Sequence, residues 1–395
     1  MKQQMPVLLV LALGCFAGAL SMRVVDPVVP EIARDLSTTA ATVALLASAF
    51  SFPYAIGQPI LGPMADSLGK ARIIKICLAI LTVALIVSAF ATSIEMLFAA
   101  RVVAGVAAGG IIPVGLAMVG DRVPINERQV AISRIILAAV LGQLTSSIGA
   151  GFVASLFGWR AVMAVTGVIA FAVFIASLIS LAPRPNAERT AFSIAGLKSG
   201  YATIFANPNA YVCYGAVIIE GIAVYGLSPY VATLFEAQGI GSMREAGLVI
   251  AGIGIGGVIY AALVRILLKR MGMFNVMRGG GIVALLGFSV IALQPSWPVQ
   301  FLGFLQIGLG FFMVHNAIQM QATELAPDAR GLAVALHAFF FFLGQAAGPV
   351  CYGIGLSTIG VSATVMLSGA AMLILGFITA GAFQRLNARP RAGET

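Results

Sequence analysis

Long apolar runs, each about the length needed to cross a lipid bilayer, occupy almost all of this 395-residue chain. Hydrophobic residues make up 60% of it and charged residues only 9%, whereas a soluble protein carries about a quarter charged residues. A spanning helix needs about 20 mostly apolar residues. Because lipid offers the backbone no hydrogen-bond partner, and because the runs are continuous rather than alternating, they predict helices and exclude a barrel.

The predicted fold class is an all-α membrane protein with twelve transmembrane helices. Their boundaries, read to within a few residues, are 6–30, 40–62, 73–93, 97–120, 131–155, 159–182, 211–235, 245–267, 276–294, 298–322, 332–356 and 360–383. The polar segment 183–210 separates six helices from six, and the apolar residues inside it have the spacing of a short amphipathic helix. The predicted domains are an N-terminal half at 1–182, a cytoplasmic linker at 183–210, a C-terminal half at 211–384 and a cytoplasmic tail at 385–395.

The basic residues fix an orientation, because they favour the cytoplasmic ends of membrane helices. With both termini inside, 18 of the 23 Lys and Arg residues fall on the cytoplasmic side, and only Arg34, Arg160 and Arg244 fall outside. We therefore predict twelve spans in a bacterial inner membrane, with both termini cytoplasmic. The net charge of +9 is a topology signal and not a nucleic-acid footprint, since no basic stripe with interleaved aromatics lies outside the spans.

The two halves match at a constant offset of 202 residues, as in Pro27 and Pro229 (229 minus 27). Duplicated halves around a central site are a common plan of secondary transporters. The other matches are Arg128 with Arg330, Ala131 with Ala333, Leu141-Gly142-Gln143 with Leu343-Gly344-Gln345, and Gly158 with Gly360.

The loop between the second and third predicted helices carries glycines and charges. It reads Gly62-Pro-Met-Ala-Asp66-Ser-Leu-Gly69-Lys70-Ala-Arg72. The glycines permit a tight turn, Asp66 can cap a helix N-terminus, and Lys70 and Arg72 hold the loop inside. We predict that this loop docks against the other end of its own half or against the N-terminus of helix 11, where backbone amides and the helix dipole hold Asp66, and that it takes part in a conformational cycle.

Together with two further motifs, this loop resembles the signature of the major facilitator superfamily. The motifs are Asp26-Pro27-Val-Val-Pro30 in helix 1 and Arg101-Val-Val-Ala-Gly105-Val-Ala-Ala-Gly109 in helix 4. The resemblance covers the whole chain. It implies two pseudo-symmetric six-helix halves, with helices 1, 4, 7 and 10 around a cavity, and it is strongest toward the drug and metabolite proton antiporters.

One stretch departs from the antiporter pattern. Where those antiporters have a Gly-Pro pair in helix 5, this chain has Ser146-Ser147, and a Gly-Pro pair occurs instead in helix 11 as Gly348-Pro349. Small residues at this spacing also serve plain helix packing in any membrane bundle. Both readings stay open from the sequence.

Ionisable side chains inside a span are costly and are functional candidates by default. At 1.5 Å per residue, a continuous helix 1 places Asp26 level with Arg101 near the outer surface. We predict a close Asp26–Arg101 pair, with Arg23 one turn from Asp26. This group is either a switchable outer gate or a permanent link between helices 1 and 4.

Glu220 differs, because it lies about 14 Å along the helix from Pro229, near the membrane midplane. No basic residue lies within one helical turn of Glu220 on the same face of its helix. Burial disfavours the charged form of such a carboxyl. Glu220 is therefore either the proton-coupling residue, with Asp26 as the next candidate, or a neutral acid hydrogen-bonded to a neighbouring helix.

Polar side chains at other span positions predict a substrate cavity. Helix 10 has a polar face, although a lone buried histidine such as His315 also serves packing. The run of four phenylalanines at 339–342 faces all round helix 11 and predicts no aromatic cage. Besides Glu220, the cavity candidates are Tyr54, Gln58, Gln143, His315, Asn316, Gln319 and Gln345.

We predict a secondary transporter that moves a small organic compound by alternating access, in a proton-coupled efflux mode. A proton-coupled uptake symporter is the alternative. A membrane sensor or enzyme on the same scaffold is less favoured, because no nucleophile and base or metal cluster converges in the sequence. We expect a monomer whose partners are substrate, proton and lipid, with no cofactor, no metal and no nucleic acid.

Overall fold

Helices account for most of residues 5–181 and 194–387, which the computed structural model describes. Within these ranges there is no β-strand, and the predicted all-α class is confirmed. The helices described are α1 (Met5–Leu20), α2 (Val29–Asp35), α3 (Ala40–Leu68), α4 (Lys70–Ala89), α5 (Ile94–Arg122), α6 (Ile125–Phe157), α7 (Trp159–Ser180), α8 (Ile194–Ala206), α9 (Pro208–Tyr225), α10 (Val231–Gln238), α11 (Met243–Met271), α12 (Met273–Ala292), α13 (Trp297–Thr323), α14 (Arg330–Thr358) and α15 (Gly360–Asn387).

Eleven segments of the described chain are long and apolar enough to cross a membrane, and Pro6–Leu20 is a shorter apolar helix. Together they follow the order of the twelve predicted runs. One of the eleven, Pro208–Gln238, comprises α9, a 3₁₀ turn and α10. The predicted short helix of the linker corresponds to α8, whereas linker residues 182–193 and tail residues 388–395 lie outside the described ranges.

Two predicted continuous helices, 6–30 and 211–235, are wrong in the same way. The first breaks after Leu20, passes through the 3₁₀ turn Asp26–Val28 and resumes as α2. The second breaks after Tyr225, and the turn Ser228–Tyr230 leads into α10. Each turn has proline at its second position, and proline lacks the amide donor that a continuing helix needs. Both runs are apolar overall, so their hydropathy did not reveal these breaks.

The internal repeat extends to helix contacts. On α6, Gly142 faces the carbonyl oxygen of Phe16 on α1, and on α14, Gly344 faces the carbonyl oxygen of Ile218 on α9. A methyl group on either glycine would overlap the facing oxygen. Both members of the second pair are 202 residues after those of the first, so the same close helix crossing occurs twice.

Contacts divide the chain into two compact units. The first is Met1–Ser193 with Ser228–Leu248, and the second is Ile194–Leu227 with Val249–Thr395. In the first unit α3 and α4 pack on α5, and α1 packs on α6. In the second, α9 packs on α14, and α12 packs on α13 and α15. The sequence-based halves, with boundaries at 182 and 211, stay a prediction.

Candidate functional site

A buried acid in the second unit has its partner on another helix. Glu220 of α9 is fully buried, and its Oε2 lies 2.8 Å from Nδ1 of His315 on α13, so the two share a hydrogen bond. The other carboxyl oxygen, Oε1, has no hydrogen-bond partner. The sequence indicated an acid without a cation on its own helix face. It gave no sign of the histidine, because periodicity does not reveal the register between helices.

His315 is enclosed by rings from two helices. Its ring centroid lies 4.8 Å from that of Phe311, 4.7 Å from that of Phe341 and 5.0 Å from that of His337. Tyr225 meets Phe311 and Phe341 edge-on. Phe341 is therefore a residue of this site, which the interpretation of the 339–342 run did not foresee.

His337 of α14 completes the cluster. Its side chain is buried, and its Nε2 has no hydrogen-bond partner. It was not among the candidate residues predicted from the sequence, because nothing in the sequence shows that it contacts His315. We call Glu220, His315 and His337 the acid–histidine cluster.

The other cavity candidates of the second unit differ in exposure. Asn316 hydrogen-bonds Tyr260 on α11, so it has a partner within the helix bundle. Gln345 is buried on α14, one turn after Phe341, whereas Gln319 on α13 is exposed. The structure connects His315 directly to Glu220.

The candidates of the first unit form a second group. Gln58 on α3 donates from Nε2 to the carbonyl of Gly109 on α5 at 3.2 Å. Tyr54, one turn earlier, stacks on Phe50 with ring centroids 5.9 Å apart. Gln143 is half-buried on α6. Tyr54 and Gln58 thus lie where α3 and α5 pack.

Arg101 contacts the broken end of α1 and interacts electrostatically with Asp26, and the predicted close pair of these two residues stays a prediction. Its two terminal nitrogens donate to the carbonyls of Ser21 at 2.7 Å and Met22 at 3.0 Å. Its guanidinium lies 4.3 Å above the ring of Phe50. Carbonyls at a helix end lack partners inside the helix. The prediction assumed a continuous helix 1 and therefore missed these acceptors.

Asp26 forms an ion pair with Arg23. Oδ2 of Asp26 lies 3.4 Å from the Arg23 guanidinium, and both side chains are buried. The remaining oxygen, Oδ1, has no hydrogen-bond partner. Ser146, in the Ser-Ser pair of α6, donates its hydroxyl to the Leu20 carbonyl at 2.6 Å. Side chains from α5 and α6 thus bind the carbonyls that the break in helix 1 exposes.

Ion pairs of Lys70 hold the glycine-rich loop between α3 and α4. Asp66 lies in the last turn of α3 with its side chain exposed, and the prediction that backbone amides hold it stays a prediction. Lys70 lies 3.1 Å from Asp66 and 2.6 Å from Asp121 at the end of α5. Gly69 takes the positive φ of 98° that the turn requires, and Arg72 is exposed. Lys70 therefore joins the loop to α5.

Comparison with known proteins gives a consistent family. A family model for the Major Facilitator Superfamily matches residues 11–349. Multidrug resistance protein 1 of Bacillus subtilis (strain 168) is 23% identical over 355 residues, which are 89% of this chain and 90% of that protein. Quinolone resistance protein NorA of Staphylococcus aureus (strain COL) is 26% identical over 361 residues, which are 87% of this chain and 88% of that protein.

Solved structures share the fold at low sequence identity. A mutant of the nucleoside transporter NupG aligns with a TM-score of 0.77 and 16% identity, covering 95% of this chain and 99% of that one. A D-xylose-proton symporter aligns with a TM-score of 0.77 and 15% identity, covering 95% and 96%. At such identities the likeness establishes the fold alone.

Proposed function

Because the chain belongs to the major facilitator superfamily, it is a membrane transporter, and we propose that it exports a small organic compound from a bacterial cytoplasm in exchange for protons. The names of the two curated relatives, a multidrug and a quinolone resistance protein, support export. The distribution of basic residues, with 18 on the predicted cytoplasmic side and three on the outer side, supports an inner-membrane location with cytoplasmic termini.

The observation that carries the proton-coupling part is the environment of Glu220. Its carboxyl is fully buried, one oxygen is bonded to His315 and the other has no partner. A buried carboxylate is costly unless it is paired and hydrogen-bonded. Such a group holds a proton until water, a cation or substrate reaches it, and a transporter can use this change of state for coupling.

Coupling requires that the proton and the substrate each change the affinity of this site for the other. If substrate binds more tightly when Glu220 has lost its proton, then bound substrate weakens proton binding at Glu220 by the same factor. Aromatic rings of Phe311, Phe341 and Tyr225 beside the acid provide an apolar wall for an organic molecule. Alternating access would expose this site to each side in turn.

Two charged groups are assigned supporting roles. We infer that Arg101 is mainly a structural link between α5 and the end of α1, because its donors bind backbone carbonyls. The Asp66–Lys70–Asp121 group at the other membrane face is assigned to the conformational cycle, since it joins the ends of α3, α4 and α5.

Uptake by proton symport is the second candidate, since one structural neighbour is a D-xylose-proton symporter. The two modes predict opposite directions in one assay. Purified protein in proteoliposomes receives an imposed pH gradient and a panel of organic compounds, including a fluorescent quinolone. Antiport drives substrate toward the more acidic compartment, whereas symport drives it toward the more alkaline one. Flux that ignores the gradient for every substrate found would contradict both.

A further inference from the structure

We propose that His337 is a second proton-carrying residue, which exchanges protons with Glu220 through His315. This inference rests on the proposed role of Glu220 in proton coupling. The three side chains come from α9, α13 and α14 and form a continuous series. The Glu220–His315 contact is 2.8 Å, and the two imidazole centroids are 5.0 Å apart.

The burial and hydrogen bonding of His337 indicate a role beyond helix packing. His337 is 2% exposed, and its Nε2 has no partner. A buried polar group without a partner costs about 1–3 kcal/mol. A phenylalanine or leucine would fill the same space beside Phe341 without that penalty. The series therefore has an unused nitrogen at one end and an unused oxygen, Oε1 of Glu220, at the other.

The series leads from the middle of the bundle toward one end. Glu220 lies twelve residues after the start of α9, or about 18 Å along that helix. His315 lies eight residues before the end of α13, about 12 Å, and His337 seven residues after the start of α14, about 10 Å. The charge distribution assigns these helix ends to the cytoplasm. His337 is therefore the member nearest the cytoplasm.

The transfer balances without any further reactant. Protonated Glu220 gives its proton to Nδ1 of neutral His315, and the proton on Nε2 of His315 passes through one water to Nε2 of His337. One O–H and one N–H bond break and two N–H bonds form. The reverse sequence returns the proton to Glu220. No step needs an oxidant or a second acid.

Other titratable groups on the surrounding helices are few. Tyr214 on α9 is nearest in register, and its hydroxyl donates to the carbonyl of Ala333, one turn before His337, at 3.2 Å. Beyond His315, the other titratable residues on α14 and on the helices that pack against it are Tyr211, Cys213 and Tyr225 on α9, Lys198 and Tyr201 on α8, Arg385 on α15, and Arg330, Cys351 and Tyr352 on α14 itself. Arg278 on α12 and Tyr260 on α11 belong to helices around α13. His315 is the one titratable residue in the sequence of α13.

A pH-jump experiment tests the proposal without knowledge of the substrate. Purified protein in lipid nanodiscs is shifted from alkaline to acidic pH, and time-resolved infrared spectroscopy follows the carboxyl C=O band. The Glu220 contribution is the part that Glu220→Gln removes. We expect His337→Gln to keep the amplitude of this band but to slow its appearance at least tenfold. Tyr214→Phe, the matched control, should behave as the wild type.

Each result other than the expected one contradicts the relay. A His337→Gln band that forms at the wild-type rate overturns the relay and leaves the proposed function standing. A wild-type band that Glu220→Gln does not change removes Glu220 from proton coupling, and the relay falls with it. His337→Asn serves as a second variant. If both variants lose the band while circular dichroism shows intact helices, His337 sets the equilibrium of Glu220 and does not relay protons.

Discussion

Arg34 and Glu236 occupy equivalent positions of the internal repeat, 202 residues apart, and their side chains form an ion pair with each other. The Arg34 guanidinium lies 2.6 Å from one carboxylate oxygen of Glu236. The pair joins the end of α2 to α10, the two helices that follow the equivalent breaks at Pro27 and Pro229. The two copies of the repeat thus carry opposite charges at this position, and the charges pair with each other.

The first prediction concerns this ion pair. Arg34 is 61% exposed and Glu236 is 32% exposed, and such pairs contribute about 0.2–1 kcal/mol. Glu236→Arg should therefore change thermal stability little, while like charges loosen the contact between α2 and α10 and change the transport rate severalfold. The double variant Arg34→Glu with Glu236→Arg should restore the rate. A double variant no better than the worse single one would contradict this.

The second prediction concerns pH. The hydrogen bond from Arg160, aided by the indole of Trp159, holds the pKa of Asp35 below its usual value. A lowered pKa stabilises the folded state above the unfolded value of about 3.9, and this stabilisation is lost as pH falls through the folded pKa. Asp35→Asn should thus lower the melting temperature at pH 7, and its difference from the wild type should shrink progressively as the pH falls below about 3.9. A difference that stays constant down to the acid limit of folding would disprove the linkage.

The third prediction separates two roles of Arg101. Lysine keeps the charge but lacks the fork that binds the Ser21 and Met22 carbonyls together. Arg101→Lys should destabilise the protein by about 1–3 kcal/mol, because buried acceptors lose their donor. If Arg101 is structural, transport should fall only in proportion to folded protein. Normal thermal stability with abolished transport would instead support a gate.

The fourth prediction concerns the loop cation. Lys70→Gln removes the cation that bridges the carboxylates of Asp66 and Asp121. We expect transport to fall severalfold, more than in Asp66→Asn or Asp121→Asn, while membrane insertion stays normal. Adding Asp121→Asn to Lys70→Gln should recover part of the loss. Initial rates normalised to folded protein decide this, and wild-type activity of Lys70→Gln removes the loop from the cycle.

The sequence was sufficient for the spans and for the family, because hydropathy acts over twenty residues at a time. It failed at short range, where two prolines break helices inside runs that are apolar overall. The depth estimate for Asp26 was affected, since it assumed a continuous helix. The exposed carbonyls of Ser21 and Met22, which bind Arg101, exist only because of the break.

Contacts between helices were beyond sequence reasoning for a different reason. Periodicity shows which face of a helix a residue occupies, but not its neighbour on the next helix. Glu220 and His315 are 95 residues apart, and Lys70 and Asp121 are 51 apart. The sequence thus identified Glu220 as a midplane acid, while its histidine partner and the contact with His337 required the structure.

The most direct measurement compares wild type with Glu220→Gln in proteoliposomes, using a compound that the flux panel shows to be transported. Glu95→Gln, the same change at an exposed position, is the matched control. We predict that Glu220→Gln abolishes pH-gradient-driven accumulation but keeps substrate exchange at equal pH, whereas Glu95→Gln does both at the wild-type rate. Accumulation against the substrate gradient by Glu220→Gln would contradict the assignment of proton coupling to this residue.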